Sequence, residues 1–244
     1  MDFTICLANR HTLIHSIFPG VYELCERFLV QGVPIPDMEV CSNMESISAE
    51  AERIRVQTGQ VFSPSYVEQM MVLRQIAEAL LPFDTLLMHG AVVAINGTAY
   101  MFTAKSGTGK TTLIRNWLKR IKNAYVVNGD KPFIILRGSG ELPLACGSPW
   151  AGKENLYTNT MVPLKSIILM ERAEDNRIER ASFDEAFPFL MQQIYQPDEE
   201  AQMRKTLLLL QSLDSAVTFW RFHFNNFKDN CFDVAYNALV RDQP

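Results

Sequence analysis

The sequence predicts a mixed α/β protein, in which a curved, partly antiparallel sheet carries a glycine-rich loop and helices pack against that sheet. Three observations predict it. Short apolar runs alternate with amphipathic helical segments along most of the chain. Two of those runs meet at Asn96-Gly97, a pair that accepts positive φ at both central turn positions and so predicts a β-hairpin. The second run leads straight into "MFTAKSGTGKTT" (101–112), a strand, a glycine loop and the start of a helix.

Each element follows in order. "FTICLA" reads as a short strand and "VYELCERFLV" as a helix, broken by Gly32, Pro34 and Pro36. "MEVCS" is a second strand, and "ISAEAERIRVQTG" a helix stopping at Gly59. The clearest helix is "SPSYVEQMMVLRQIAEALL" (63–81), with Ser63 as its cap and Pro64 at the first helical position. Its predicted core stripe is Tyr66, Met70, Leu73, Ala77 and Leu80. After the hairpin, "TTLIRNWLKRI" is a helix with Leu113, Trp117, Leu118 and Ile121 inward. "AYVVNGD", "PFIILR", "LPLACG" and "PLKSIILMER" are strands. Ser182 and Glu185 have capping-box spacing, while Pro188 kinks that helix or delays its start. "MRKTLLLLQSL" is a helix, "VTFWRFHF" a strand with Trp220, Phe222 and Phe224 on one face, and "CFDVAYNALV" a closing helix. The expected organisation is an N-terminal region, 1–82, and a nucleotide-binding domain, 83–244. The N-terminal region is either a small α/β subdomain or a cover on the same core.

Composition narrows the function. The 244 residues are 48% hydrophobic and 20% charged, as in an ordinary globular protein. A net charge of -4 with no dense basic face argues against a general nucleic-acid binder. Arg115, Lys119 and Lys122 share one helix side and read as a solvated face. The five cysteines are scattered and form no CxxC pair, which argues against a zinc site or a disulfide framework and fits a reducing cytosol. "MDFTICLANR" has no long apolar run, so no secretory signal is expected, and no apolar stretch is long enough to predict a membrane span.

The loop has the parts of a phosphate cradle. Ser106, Gly107, Thr108 and Gly109 form its curl, and Lys110 is placed to reach terminal phosphates. Thr111 supplies a hydroxyl for Mg2+, and Thr112 follows on the first helical turn. Ala104 stands where the pattern has its first glycine, and the fit of its methyl depends on φ there. Asp130, ending the next apolar strand, is the candidate metal-organising acid. His89 stands before Gly90 at the entry to the hairpin.

These residues resemble a family. "HGAVVAING", "YMFTAKSGTGKTTL" and the closely following "VVNGDKPFI" look like the catalytic core of HPr kinase/phosphorylase, which is shared with ATP-dependent phosphoenolpyruvate carboxykinase. The resemblance is strongest over residues 86–135; "GSPWAGKEN" and "VPLKSIILMER" extend it less specifically to bacterial HPr-kinase-like proteins, some found beside peptide-modification genes. It implies a P-loop core in which Lys110 contacts the transferred phosphate, Thr111 and Asp130 hold Mg2+, and His89 sits close to the acid. It also implies ATP as the nucleotide and an assembly of copies. One departure matters: the family's first aspartate, its general base, is Gly129 here. Asp130 or Glu154 stands as a substitute, with Lys153 beside Glu154 as a phosphate partner.

The expected activity is therefore ATP-dependent phosphoryl transfer to a hydroxyl of a peptide, protein or small molecule. A nucleotide-binding regulatory module without turnover is the alternative that Gly129 and Ala104 favour. Carboxykinase chemistry ranks last, because it needs a cationic dicarboxylate pocket and generally a longer chain.

Overall fold

The computed structural model describes residues 1–32, 34–105, 107–138, 140–228 and 230–241. The chain divides into two units, Met1–Pro82 and Phe83–Pro244.

In the first unit, Ala8 and Asn9 sit at φ 52° and 59° and turn β1 (Asp2–Leu7) back onto β2 (Arg10–His15). β3 (Met38–Cys41) joins β2 in parallel, giving the order β1-β2-β3. β2 is absent from the sequence reading, because its hairpin turn carries no glycine. Between β2 and β3 runs the short α1 (Pro19–Cys25), extended by one 3-10 turn to Phe28. α2 (Met44–Thr58) is capped by Asn43, whose side chain accepts from the Ser46 amide, and ends at Gly59 with φ 71°. α3 (Pro64–Leu80) starts at the expected cap, where Ser63 accepts from the Tyr66 amide.

The buried face of α3 is not the predicted stripe. Leu73, Ala77 and Leu80 are buried, but so are Val67, Glu68, Val72 and Ile76, while Tyr66 is exposed. α1, α2 and β3 all pack on this helix, so more than one stripe is covered. Glu68 is wholly buried because its carboxylate accepts from the amides of Ile17 and Phe18, at 2.6 and 2.9 Å.

The second unit is a mixed sheet with helices. Among the described residues it has nine strands. β4 (Thr85–Leu87), β8 (Phe133–Ile135) and β9 (Leu144–Cys146) run antiparallel to one another and onto the start of β10 (Met161–Arg172). Farther along, β10 lies parallel between β6 (Thr98–Thr103) and β12 (Thr218–Phe224). β5 (Ala91–Ile95) pairs with β6 through the Asn96-Gly97 turn, at φ 50° and 78°, and with β7 (Tyr125–Asn128). β11 (Arg177–Ala181) pairs only with β12 and is a charged edge strand.

α4 (Lys110–Arg120) follows β6 after the glycine loop. Its buried side is Leu113, Ile114 and Trp117, with Leu118 partly covered. Trp117 is fully buried, edge-on to Phe102 of β6 at 5.0 Å and to Phe232 at 5.8 Å. That contact fixes the helix against the strand on which the loop hangs. α5 (Phe183–Leu190) begins with the predicted capping box and accommodates Pro188. α6 (Glu200–Ala216) follows, and α7 (Cys231–Tyr236) runs into a π turn, Asn237–Arg241. Among the described residues no helix is long and apolar enough to cross a membrane.

Candidate active site

The loop joining β6 to α4 is shaped by two glycines and two clamps. Gly107 has φ 75° and Gly109 φ 118°, so both positions select glycine. A Cβ on Gly109 would stand 2.6 Å from Asn226 Nδ2, so that side chain would also have to turn away. Ala104 is different. It has no positive φ, and its methyl is wholly buried in the core cluster with Phe102, Leu113 and Trp117. The position therefore fills the core and makes no demand for glycine. Thr108 Oγ1 donates to the Lys105 carbonyl at 2.5 Å. Arg172, the last residue of β10, donates to the carbonyls of Gly107 at 2.6 Å and Thr108 at 3.2 Å. Ser106 lies outside the described residues.

The residue before α4 is Gly109, which has no side chain to cap the helix, and among the described residues no side-chain cap is present there. Its first turn thus presents backbone N–H groups without a side-chain acceptor, at the positive end of the helix dipole. Thr111 and Thr112 are exposed on that turn.

Beside it, Lys110, His89 and Asp130 come together. Lys110 Nζ donates to the Ala104 carbonyl at 2.9 Å and lies 3.4 Å from His89 Nε2. The same ring nitrogen is 3.3 Å from Asp130 Oδ1. On its other side, His89 Nδ1 contacts Gln193 Oε1 at 2.8 Å, and the His89 amide donates to the Gln193 carbonyl at 2.6 Å. The Gly90 amide donates to the Asp130 carbonyl at 2.9 Å, lacing the two segments together.

Burial pulls the Lys110 ammonium below its ordinary pKa; Asp130 opposes that and Lys131 adds to it. For Asp130, burial pushes the carboxyl up, but the His89 ring and the Lys131, His89 and Lys110 charges together bring it below its ordinary value. Asp130 is thus a fixed anion near neutral pH, suited to holding a cation and a weak acceptor of protons.

Asn128 is the girder beneath this acid. It is wholly buried, and its Oδ1 accepts from the amides of Asp130 at 2.8 Å and Lys131 at 2.7 Å. Its Nδ2 donates to Ser148, and Ser148 Oγ donates to the Lys131 carbonyl at 2.6 Å. Between the two polar residues, Gly129 faces backbone: a Cβ there would sit 3.1 Å from the Ala151 carbonyl oxygen and 3.2 Å from that of Leu156. Glu154 belongs to that covering loop, but its half-exposed carboxylate pairs with Arg115 of α4 rather than with Lys110, His89 or Asp130.

Sequence reasoning missed Arg172, Asn128, Ser148 and Gln193. Only "VVNGD" held a usable sign, since asparagine two residues before an acid favours the side-chain-to-backbone turn found here. A cavity of about 520 Å³ also touches the loop through Lys105 and Thr108, and is completed by Glu171, Arg172, Glu185 and Phe189 among others. Lys110 and Asp130 do not line it.

No family model matches the chain, and no curated protein matches it. Among solved structures, the HPr(Ser) kinase/phosphatase from Coxiella burnetii aligns over 65% of this chain and 99% of its own, at 12% identity and a TM-score of 0.37. A likeness that slight carries no argument.

Proposed function

We propose that the second unit binds ATP with Mg2+ and transfers the γ-phosphoryl group to a hydroxyl of a peptide, protein or small-molecule acceptor. The observation that carries this reading is the uncapped amino end of α4 beside a partly buried lysine and a carboxylate held anionic. Uncapped helix amides and a lysine receive phosphate oxygens. The donor set fits the ion: the Asp130 carboxylate and the Thr111 hydroxyl are both hard oxygen ligands. Bound there, Mg2+ would supply charge neutralisation on the nucleotide phosphates.

Lys110 binds and orients the phosphate that moves. It must leave the Ala104 carbonyl to do so, and a nearby polyanion favours that exchange. In the transfer, the acceptor oxygen bonds to the γ-phosphorus, the bond from that phosphorus to the β–γ bridging oxygen breaks to release ADP, and the hydroxyl proton passes to solvent. His89 stands between Lys110 and Asp130 and holds them in register, itself oriented by Gln193. The cavity beside Lys105 and Thr108 gives an acceptor a place next to the loop. Free thiols and no disulfide among the described residues fit work in the cytosol.

A second reading, a nucleotide-binding regulatory module without turnover, is favoured by Gly129. That residue carries no carboxylate and its neighbours crowd a Cβ, and loss of a general base commonly costs a factor of about 10² to 10⁴. Phosphoryl transfer leans on positioning and charge, so the enzyme reading keeps precedence. Calorimetric titration of ATP with and without Mg2+, followed by phosphorus NMR, tests both. Magnesium-dependent binding with loss of the γ-phosphate supports the kinase, and binding with intact nucleotide under every acceptor tried supports the module. No binding removes both.

A further inference from the structure

The three strands of the first unit gather a second constellation. Asp2 pairs with His15 across β1 and β2, and His15 pairs with Cys41 across β2 and β3. Glu39, two residues before Cys41, falls on the same face of β3. His15 Nδ1 lies 2.9 Å from Asp2 Oδ1 with hydrogen-bond geometry. His15 Nε2 lies 3.0 Å from Glu39 Oε1 without it: that nitrogen is shielded from solvent and has no hydrogen-bond partner. With the ring proton directed to Asp2, the Nε2 lone pair is left beside a carboxylate oxygen. Two electron-rich atoms this close repel unless a proton or a metal ion lies between them, and the exposed Cys41 thiol beside them adds a third donor suited to a metal ion. The Cys41 sulfur is 3.8 Å from the same oxygen, and the His15, Glu39 and Cys41 donor atoms all lie within 4.8 Å of one another.

We propose that His15 Nε2, Cys41 Sγ and a Glu39 carboxylate oxygen form a site for a borderline-soft divalent cation, Zn2+ foremost, with Asp2 orienting the imidazole and solvent as the fourth ligand. A nitrogen, a sulfur and an oxygen donor select zinc over the hard ions that the all-oxygen pair Thr111 and Asp130 suits. Ligands at Zn2+ distances stand roughly 3.5 Å apart in a tetrahedron, so the present spacings close with small rotations of exposed side chains. Asp2 on the far ring nitrogen is the carboxylate–histidine–metal arrangement that fixes tautomer and ring plane. On binding, the Cys41 thiol gives its proton to solvent, and thiolate plus carboxylate balance the charge of the ion. Cys41 is exposed, so the ion has a way in. Scattered cysteines argued against zinc in the linear sequence; strand pairing supplies the neighbours that spacing does not. The bound ion would tie β2 directly to β3 and, through Asp2, to β1.

The test is a Co2+ titration of the metal-free full-length protein, followed by absorption. The expected result is one equivalent bound, with a near-ultraviolet thiolate-to-cobalt band and visible bands of tetrahedral intensity, all bleached by Zn2+. Cys41→Ser should abolish the near-ultraviolet band. Asp2→Asn should weaken binding by roughly 10- to 100-fold while leaving the band shape unchanged. Lys110→Ala should leave Co2+ affinity and the thiolate band as they are while weakening ATP binding, which separates this site from the phosphate loop. Absence of the thiolate band, or its survival in folded Cys41→Ser, overturns the proposal. An independent readout is alkylation of Cys41 in the unmodified protein: Zn2+ should block it, and an unchanged rate would also overturn the site.

Discussion

His89 and His15 each hold Nε2 near a carboxylate oxygen, 3.3 Å from Asp130 in one unit and 3.0 Å from Glu39 in the other. Their remaining neighbours differ. His89 has the Lys110 ammonium on that nitrogen and the neutral Gln193 amide on the other. His15 has the Cys41 thiol nearby and a second carboxylate, Asp2, on Nδ1. Around His89 the cations Lys110 and Lys131 outnumber Asp130, a balance that suits the magnesium-bound polyanion of the proposed function. Around His15 the two carboxylates attract a cation. A histidine–carboxylate pair therefore does not name its ligand; the third and fourth neighbours do.

The contrast can be broken at several points. Lys110→Ala should have the largest effect, lowering ATP affinity by roughly a hundredfold in calorimetry while the His15 cluster keeps its affinity for Co2+. Unchanged ATP affinity would remove the anion site. Next, Asn128→Ala strips an acceptor from two amides and leaves Ser148 without its donor, so it should cost about 2–3 kcal/mol by urea denaturation.

Asp130→Asn should remove the magnesium dependence of ATP binding, and it also has a pH signature. The folded Asp130 carboxyl lies below its ordinary 3.8, so its contribution to stability is present above that pH and is lost as pH falls through the lower folded value. The stability difference between wild type and Asp130→Asn should therefore shrink in acid, as measured by urea midpoints from pH 5 downward. A difference independent of pH would mean that the carboxylate is not held by its neighbours. Gln193→Glu would give His89 the kind of partner His15 has. ATP affinity should fall several-fold from the added negative charge, and unchanged affinity would show that the Nδ1 partner is immaterial. The smallest effect is expected from Gly129→Ala, whose methyl must push back two carbonyl oxygens. About 1 kcal/mol of stability should be lost, with ATP affinity retained.

What could be read from the sequence was local. Ser63 with Pro64, Asn96-Gly97 and the Ser182–Glu185 box each act within four residues, and each does so in the structure. Strands without such punctuation escaped. β2 follows a turn made by Ala8 and Asn9, and alanine gives no turn signal. β11 reads "RIERA" because an edge strand is wet and charged. Within the site, Lys110, Asp130 and His89 could be picked out because each flanks a recognisable strand or loop. Gln193 and Arg172 could not, since they meet their partners 104 and 65 residues away and nothing local marks them. Glu154 lies apart from the acid it was expected to replace, since its partner, Arg115, is on a helix 39 residues upstream.

Arg172 ends a strand that runs parallel to β6, and its guanidinium grips the two carbonyls at the crest of the loop. The loop is thereby anchored to the sheet at both margins, once through its own strand and once through the neighbouring one. Under the proposed function, a phosphate arriving at the amino end of α4 would meet Gly107 and Thr108 already held by Arg172. Little further ordering has to be offset by binding, so affinity there depends on β6 and β10 keeping their alignment. A change that slid one strand against the other would be felt as a loosened loop, some distance from any atom that the ligand touches.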